Sequence, residues 1–402
     1  MTSTPHRVVV AGGGVAGLEA LLALHALGAD RLELTLVSPT PDFVYRPLAV
    51  AEPFALGHRR TTPLAEAART AGATFLQSGL AGVDVAQRTA RLADGQTLPY
   101  DALVLATGAS AEPAFGHDHV FHWDDSCDAE AIGGLLRDLE EGYSQRLAVV
   151  VPPGPGWPLP AYELSMLIAG DARGMGMEPE ITLVTPEHAP LAVFGPRAVE
   201  VVTEELRRAG VKVELGAHAE LDPGPPVALV LRPSQRRIEA SRILALPRLR
   251  GRAPQGIAAD ADGFVKVDPH CRVIGAPGVW AAGDGIDFPV KFGGLAAEQA
   301  DAAAADIAAD AGAVVERRPF RPVLRGRLLT GQGSRYLRYD AAGGDGEGEA
   351  TTHTLWWPPG KVAGRWLAPW LAARDDEAVA GNLPHAGGLP VQTDLHRDVV
   401  VR

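Results

Sequence analysis

Two stretches of the chain carry the same rhythm of apolar and polar positions. The first opens on the β-branched run Val8-Val9-Val10, turns through Gly12-Gly13-Gly14, and continues as an apolar helix from Leu18 to Leu27 that stops at Gly28. A second β-rich run, Leu32-Glu33-Leu34-Thr35-Leu36-Val37, closes a β-α-β unit. The pattern returns as the strand Leu147–Val151, the turn Gly154–Pro160, the helix Ala161–Ala169 and the strand that ends Ile181-Thr182-Leu183-Val184-Thr185-Pro186. That last run repeats Leu34-Thr35-Leu36-Val37-Ser38-Pro39 almost position for position, so a whole unit is duplicated. Alternation of strand and helix predicts an α/β chain with two doubly wound, Rossmann-like domains.

The remaining pattern fills in the expectation. Thr62–Ala71 reads as a helix, Phe75–Leu92 as strands, Asp94-Gly95 as a hairpin turn, and Tyr100–Ala109 as a buried strand that ends in Thr107-Gly108. A helix from Ala129 to Glu141, with Asp128 as its cap, precedes the repeat. Phe194–Ala209 reads as a further helix, and Gly263–Asp268 leads to Pro277–Gly285, a strand ending in Gly283-Asp284. A long alanine-rich helix follows from Leu295 to Ala311. Beyond it the character changes to a basic, strand-like stretch, Arg317–Arg338, the loop Asp340–Glu349, and two tryptophan-rich segments around Trp356-Trp357 and Trp366–Leu371. The expected division is 1–112 and 261–315 as one split domain, 113–260 as a domain inserted into it, and 316–402 as a small C-terminal cap or interface domain.

The glycine spacing carries chemistry. Gly12, Gly14 and Gly17 stand in G-x-G-x-x-G order after a strand and before a helix. The first allows a tight turn, the second lets a pyrophosphate approach the backbone, and the third lets helix and strand pack closely. Free N–H groups around Val15 and Ala16, helped by the helix dipole, then favour the phosphates. The acid expected at the end of the second strand is replaced by Ser38, which still offers a hydroxyl to a ribose. The loop Phe43-Val44-Tyr45-Arg46-Pro47 either covers a cofactor, with Arg46 over it, or packs beneath the sheet. The second glycine loop is poorer, because prolines at 152, 153, 155, 158 and 160 remove N–H donors. It stands either as a nicotinamide-nucleotide site, with Glu187 toward a ribose, or as a plain turn.

Composition narrows the class. With 402 residues, 46% hydrophobic and 21% charged, the chain is long enough for two or three globular domains. A net charge of −12 argues against nucleic acid as its partner. Cys127 and Cys271 are its two cysteines, and they form no C-x-x-C and no disulfide framework. The strand begins close to Met1, there is no run of about 18 apolar residues, and the expectation is a cytoplasmic protein. His117, Asp118, His119, His122, Asp124 and Asp125 match no metal-ligand spacing and read as a solvated loop. The Trp366–Leu371 stretch is open between an interfacial anchor giving peripheral membrane contact, the wall of a quinone pocket, and a buried cap or homodimer surface, with Pro369 interrupting its helix.

Gly12-x-Gly14-x-x-Gly17, Ala106-Thr107-Gly108 and Gly283-Asp284 before a long helix, in that order, resemble the flavoproteins of the pyridine nucleotide-disulfide oxidoreductase superfamily over residues 7–312. The resemblance implies FAD, its pyrophosphate at Gly12–Gly17, its ribityl chain on Asp284, and Gly294 and Leu295 near the pyrimidine side of its ring. Ser38-Pro39, the Phe43–Pro47 loop and Pro160-Ala161-Tyr162-Glu163 are most similar to the sulfide:quinone oxidoreductase branch, with type II NADH dehydrogenases as close kin. That branch carries a redox cysteine where this chain has Trp157, and another in the segment resembling Val323–Gly331, where this chain has none. Dithiol chemistry is therefore not expected. The expectation is a flavin oxidoreductase that takes electrons from NAD(P)H, or from a sulfur or small organic donor, and delivers them to a quinone-like or protein acceptor; a non-catalytic flavin-binding protein is the remaining alternative. Lys291, just before the long helix, reads either as a charged group beside the ring or as a surface lysine.

Overall fold

A computed structural model describes residues 4–117, 120–123 and 129–382. Two five-stranded parallel sheets carry it. The first runs in the order Val279–Ala281, Ala102–Leu105, His6–Ala11, Leu32–Ser38, Thr74–Gln77. The second runs Val120–His122, Arg242–Ala245, Arg146–Val150, Glu180–Val184, Lys212–Glu214. The two orders match strand for strand around the repeated unit. The first sheet takes its last strand from residues 279–281, after the second sheet is complete. Central strands such as Ala102–Leu105 are buried along their whole length, and that is why they read as unbroken apolar runs.

Among the described residues, seven α-helices dress these sheets: α1 (Val15–Gly28), α2 (Leu64–Thr70), α3 (Ala129–Glu140), α4 (Leu159–Gly174), α5 (Pro196–Ala209), α6 (Gly293–Asp310) and α7 (Leu367–Asn382). α1 is buried almost all round, because the sheet covers one side and α6 the other. The contact uses small residues, Ala16, Ala20 and Ala23 on α1 with Ala296, Ala300 and Ala303 on α6, which lets the two backbones come close. A three-stranded antiparallel sheet, Val323–Leu329, Ser334–Asp340 and Glu349–Thr351, follows α6 and packs against α4 and α5.

α7 returns to the first domain. Glu19, buried in α1, accepts hydrogen bonds from the N–H groups of Trp366 (2.8 Å) and Leu367 (2.7 Å) and so caps α7 from across the core. Burial and the neighbouring Glu19 push the Asp301 carboxyl up to about 8, so it is protonated at neutral pH and donates toward Glu19.

Four local expectations change. Thr62 and Pro63 finish the strand Arg60–Pro63, paired with Asp42–Tyr45, so α2 begins only at Leu64. Gly195, at φ +85°, separates a short turn of 3₁₀ helix from α5, which starts on Pro196. The strand expected over Pro277–Gly285 narrows to Val279–Ala281. Pro369 does not interrupt α7, because it stands in the first turn, where its missing N–H has no intrahelical acceptor to lose. Trp366, Trp370 and Leu371 lean on the first-domain core, and the Trp370 ring lies 3.6 Å under the Arg374 guanidinium. Cys127 and Asp128 lie outside the described residues, as do Asp118, His119, Asp124 and Asp125. Within them, His122 Nε2 accepts the Phe115 N–H at 3.2 Å.

Candidate active site

One cavity of about 1190 Å³ lies along the carboxyl ends of the strands of both sheets, the place where open α/β sheets bind ligands. At the end of the first strand, a Cβ on Gly12 would stand 2.0 Å from the Ala106 carbonyl oxygen, and one on Gly17 1.8 Å from the Gly12 oxygen. Only glycine permits both approaches. A Cβ on Gly14 would meet nothing within 4 Å, because that side opens on the cavity. Val15 and Ala16 line it too, and the first N–H groups of α1 have no intrahelical acceptor. This cradle fits a pyrophosphate.

Thr107 and Gly108 form the next part of the wall; Thr107 Oγ1 donates to the Arg252 carbonyl at 3.2 Å, and Gly108 takes φ +68° as the chain leaves the sheet. Gly283 (φ +85°) donates its N–H to Gln299 Oε1 at 2.8 Å and leaves Asp284 facing the cavity. Among the described residues the Asp284 carboxylate has no hydrogen-bond partner. Burial raises its pKa, and Lys291 and Arg46 oppose that shift. An open acceptor of this kind suits the hydroxyls of a polyol chain. Ser38 also lines the cavity, with its Oγ turned to Thr40 (3.3 Å to Oγ1). Gly294 and Leu295 do not line it: Leu295 is buried in the core, and the wall there is Gly293 and Ala296. α6 begins at Gly293, two residues earlier than the Leu295 start read from the sequence.

Lys291 is not on the surface. It is 4% exposed; its Nζ donates to the Ile286 carbonyl and lies 4.0 Å over the Phe264 ring. Burial lowers its pKa to about 8, while Asp284, Asp287 and Asp260 pull it up. Its backbone joins the second glycine loop to the first domain: Gly156 N–H donates to the Pro289 carbonyl (3.1 Å), and Lys291 N–H to the Gly156 carbonyl (3.0 Å). Trp157, next in that loop, stacks on Phe292 with centroids 4.4 Å apart and planes at 15°. Glu187 lines the same lobe and accepts from Tyr162 Oη (2.6 Å) and Thr185 Oγ1 (3.0 Å). Cys271, on a turn at φ +62°, is 1% exposed, and burial pushes its thiol up to about 12, so it supplies no thiolate.

Opposite stands a pair that the motif spacing did not announce. Glu163, on α4, and Lys361 both line the cavity at 1% and 6% side-chain exposure, with Lys361 Nζ 2.6 Å from each carboxylate oxygen. The Leu329 N–H donates to Glu163 Oε1 at 2.9 Å. Burial raises the Glu163 pKa, and Lys361 pulls it back. The one available signal was an acid inside the apolar helix run Ala161–Ala169.

The cradle geometry predicts a separation of folding from binding. Gly14→Val keeps unfolding stability within about 1 kcal/mol of wild type and loses the flavin that co-purifies with the chain. Gly17→Ala, forced against the Gly12 carbonyl, costs about 1–3 kcal/mol of stability. Urea unfolding and the visible spectrum measure the two effects.

Comparison with known proteins agrees with this geometry. Residues 6–306 match the family described as pyridine nucleotide-disulphide oxidoreductase. An NADH dehydrogenase-like protein of Mycobacterium tuberculosis is 30% identical over 302 residues, covering 69% of this chain and 72% of that protein. A type II NADH:quinone oxidoreductase of the same species is 26% identical over 318 residues, or 71% of this chain and 67% of that one. The crystal structure of the sulfide:quinone oxidoreductase of Aquifex aeolicus shares the fold at a TM-score of 0.73 and 18% identity, covering 93% of this chain and 91% of that chain. The chain thus belongs to the pyridine nucleotide-disulphide oxidoreductase family and is an oxidoreductase with FAD as its cofactor.

Proposed function

We propose that the chain transfers two electrons from NAD(P)H to a quinone-like acceptor held against the Glu163–Lys361 wall of the cavity. FAD, held by the Gly12–Gly17 cradle and Asp284, supplies hydride acceptance and electron return when bound. The overall balance is NAD(P)H, one proton and a quinone giving NAD(P)⁺ and a quinol. The carrying observation is the buried Glu163–Lys361 pair. A quinone oxygen that gains electrons must gain a proton in the same dry place. A carboxyl pushed up by burial and pulled back by an ammonium 2.6 Å away forms an acid–base pair able to pass a proton at that wall. Val362 N–H donates to Tyr45 Oη at 3.0 Å and fixes the segment that carries Lys361. The Trp157–Phe292 stack gives the same wall a flat apolar face. Similarity to a mycobacterial NADH dehydrogenase-like protein and a type II NADH:quinone oxidoreductase supports the nicotinamide donor and the quinone acceptor. No described helix is long and apolar enough to cross a membrane.

Lys291 has the role of a buried cation beside Asp284 that steadies negative charge at this end of the cavity. The charge is present below about pH 8 and lost above it. Flavin reduction by NADH in wild type therefore slows as pH rises through that value, and the step is absent from Lys291→Met; a pH series of stopped-flow traces measures it. For the acceptor side, Glu163→Gln leaves the rate of flavin reduction by NADH unchanged and slows reoxidation by a soluble quinone by roughly 100-fold, the usual span of one acid–base group. Equal reoxidation rates in the variant and wild type would remove Glu163 from the acceptor step.

A further inference from the structure

The second glycine loop is unable to hold phosphates as the first does. Pro152, Pro153, Pro155, Pro158 and Pro160 carry no N–H, the Gly156 N–H is spent on Pro289, and the Ala161 N–H returns to Pro158 at 3.0 Å. A dinucleotide in this lobe needs its charge met elsewhere.

The same cavity wall offers two guanidinium groups. Arg248 follows the second-sheet strand Arg242–Ala245 through Leu246-Pro247, and the Leu246 N–H donates to the Val150 carbonyl at 2.9 Å. That bond lays the exit of this strand beside Val151–Pro153, where the proline loop begins. Arg252 lies four residues on, and its carbonyl is fixed by Thr107 Oγ1 at the edge of the first lobe. Both arginines line the cavity. Arg250, between them, pairs with Glu112 and Asp262. Among other cavity arginines, Arg325 pairs with Glu298, and Arg327 bonds Ser334 Oγ (3.1 Å) and the Pro359 carbonyl (3.4 Å). Arg248 and Arg252 have neither a hydrogen-bond nor an ion-pair partner for their side chains among the described residues. Arg46, the remaining cavity arginine, stands in the first lobe, where its charge acts on Asp284. In a chain of net charge −12, the two second-lobe cations left without a partner are available to an anion.

We propose that Arg248 and Arg252 form the pyrophosphate site of the second lobe and take the two phosphates of a nicotinamide dinucleotide in place of the backbone cradle that the prolines remove. Guanidinium groups suit this task, because each presents parallel N–H donors to phosphate oxygens and stays charged at any working pH. The assignment rests on NAD(P)H as the donor.

The test uses the flavin-loaded enzyme and two readouts. Calorimetry with ADP-ribose, which carries the pyrophosphate and no nicotinamide, reports the site without turnover. Stopped-flow reduction by NADH and by NADPH reports the donor. Arg248→Ala with Arg252→Ala weakens ADP-ribose binding and raises the half-saturating NADH concentration by roughly 10- to 100-fold, the span of lost charge-assisted hydrogen bonds. Wild-type affinity falls with added salt, and the affinity of the double variant changes much less. Arg250→Ala, outside the cavity, leaves both affinities as in wild type. Unchanged ADP-ribose affinity in the double variant overturns the site, even when NADH reduces the flavin. Binding of ADP-ribose that depends on both arginines, without reduction by either nucleotide, keeps the site and retires the donor. Failure of wild type to bind ADP-ribose overturns the site, and absence of reduction by either nucleotide overturns the donor as well.

Discussion

The structure depends on an approach of backbone to backbone that side chains would forbid. Gly12 lies so close to Ala106, and Gly17 so close to Gly12, that a Cβ at either would sit inside another residue's carbonyl. Because these contacts are allowed, α1 starts directly over the end of the first strand and turns its free N–H groups into the cavity. Because α1 lies so close to the sheet, its alanine face is left for α6, and α6 in turn fixes Gly283-Asp284 at the end of the neighbouring strand. The Gly12–Gly17 cradle and the Asp284 end of the cavity are thus set by one packing constraint.

The duplicated unit has been put to a different use. In the first domain the glycine loop faces the cavity with open space at Gly14. In the second, the equivalent loop is zipped to the first domain by the Gly156–Pro289 and Gly156–Lys291 hydrogen bonds and covered by Trp157 on Phe292. The topology of the two sheets is the same, yet prolines have changed which atoms the loop presents. The side chains that the second lobe presents to the cavity instead include Glu163 from α4 and Lys361, Arg248 and Arg252 from other segments.

The parts legible in the sequence are those in which local pattern and tertiary role coincide. Strands buried on both faces read as apolar runs, the glycine spacing reads as a cradle, and the second β-α-β unit reads as a repeat. The parts that were not legible depend on distant partners. Glu163 and Lys361 meet across 198 positions, and nothing around Trp356-Trp357-Pro358-Pro359-Gly360 announces that the following lysine is buried. Lys291 carried no sign of its burial, because Phe264 and Ile286, which receive it, lie on other segments. Gly294 and Leu295 stand behind Gly293 and Ala296 in the cavity wall, because α6 begins at Gly293, two residues before Leu295.

The central claim is that one cavity joins a nicotinamide donor to a quinone-like acceptor through FAD. The most direct measurement is the visible spectrum of the purified protein during anaerobic titration with NADH, followed by addition of a soluble quinone. The account predicts an oxidised flavin spectrum that bleaches with NADH and returns with quinone. A flavin spectrum that neither NADH nor NADPH bleaches would contradict the donor, and a bleached spectrum that quinone leaves unchanged would contradict the acceptor.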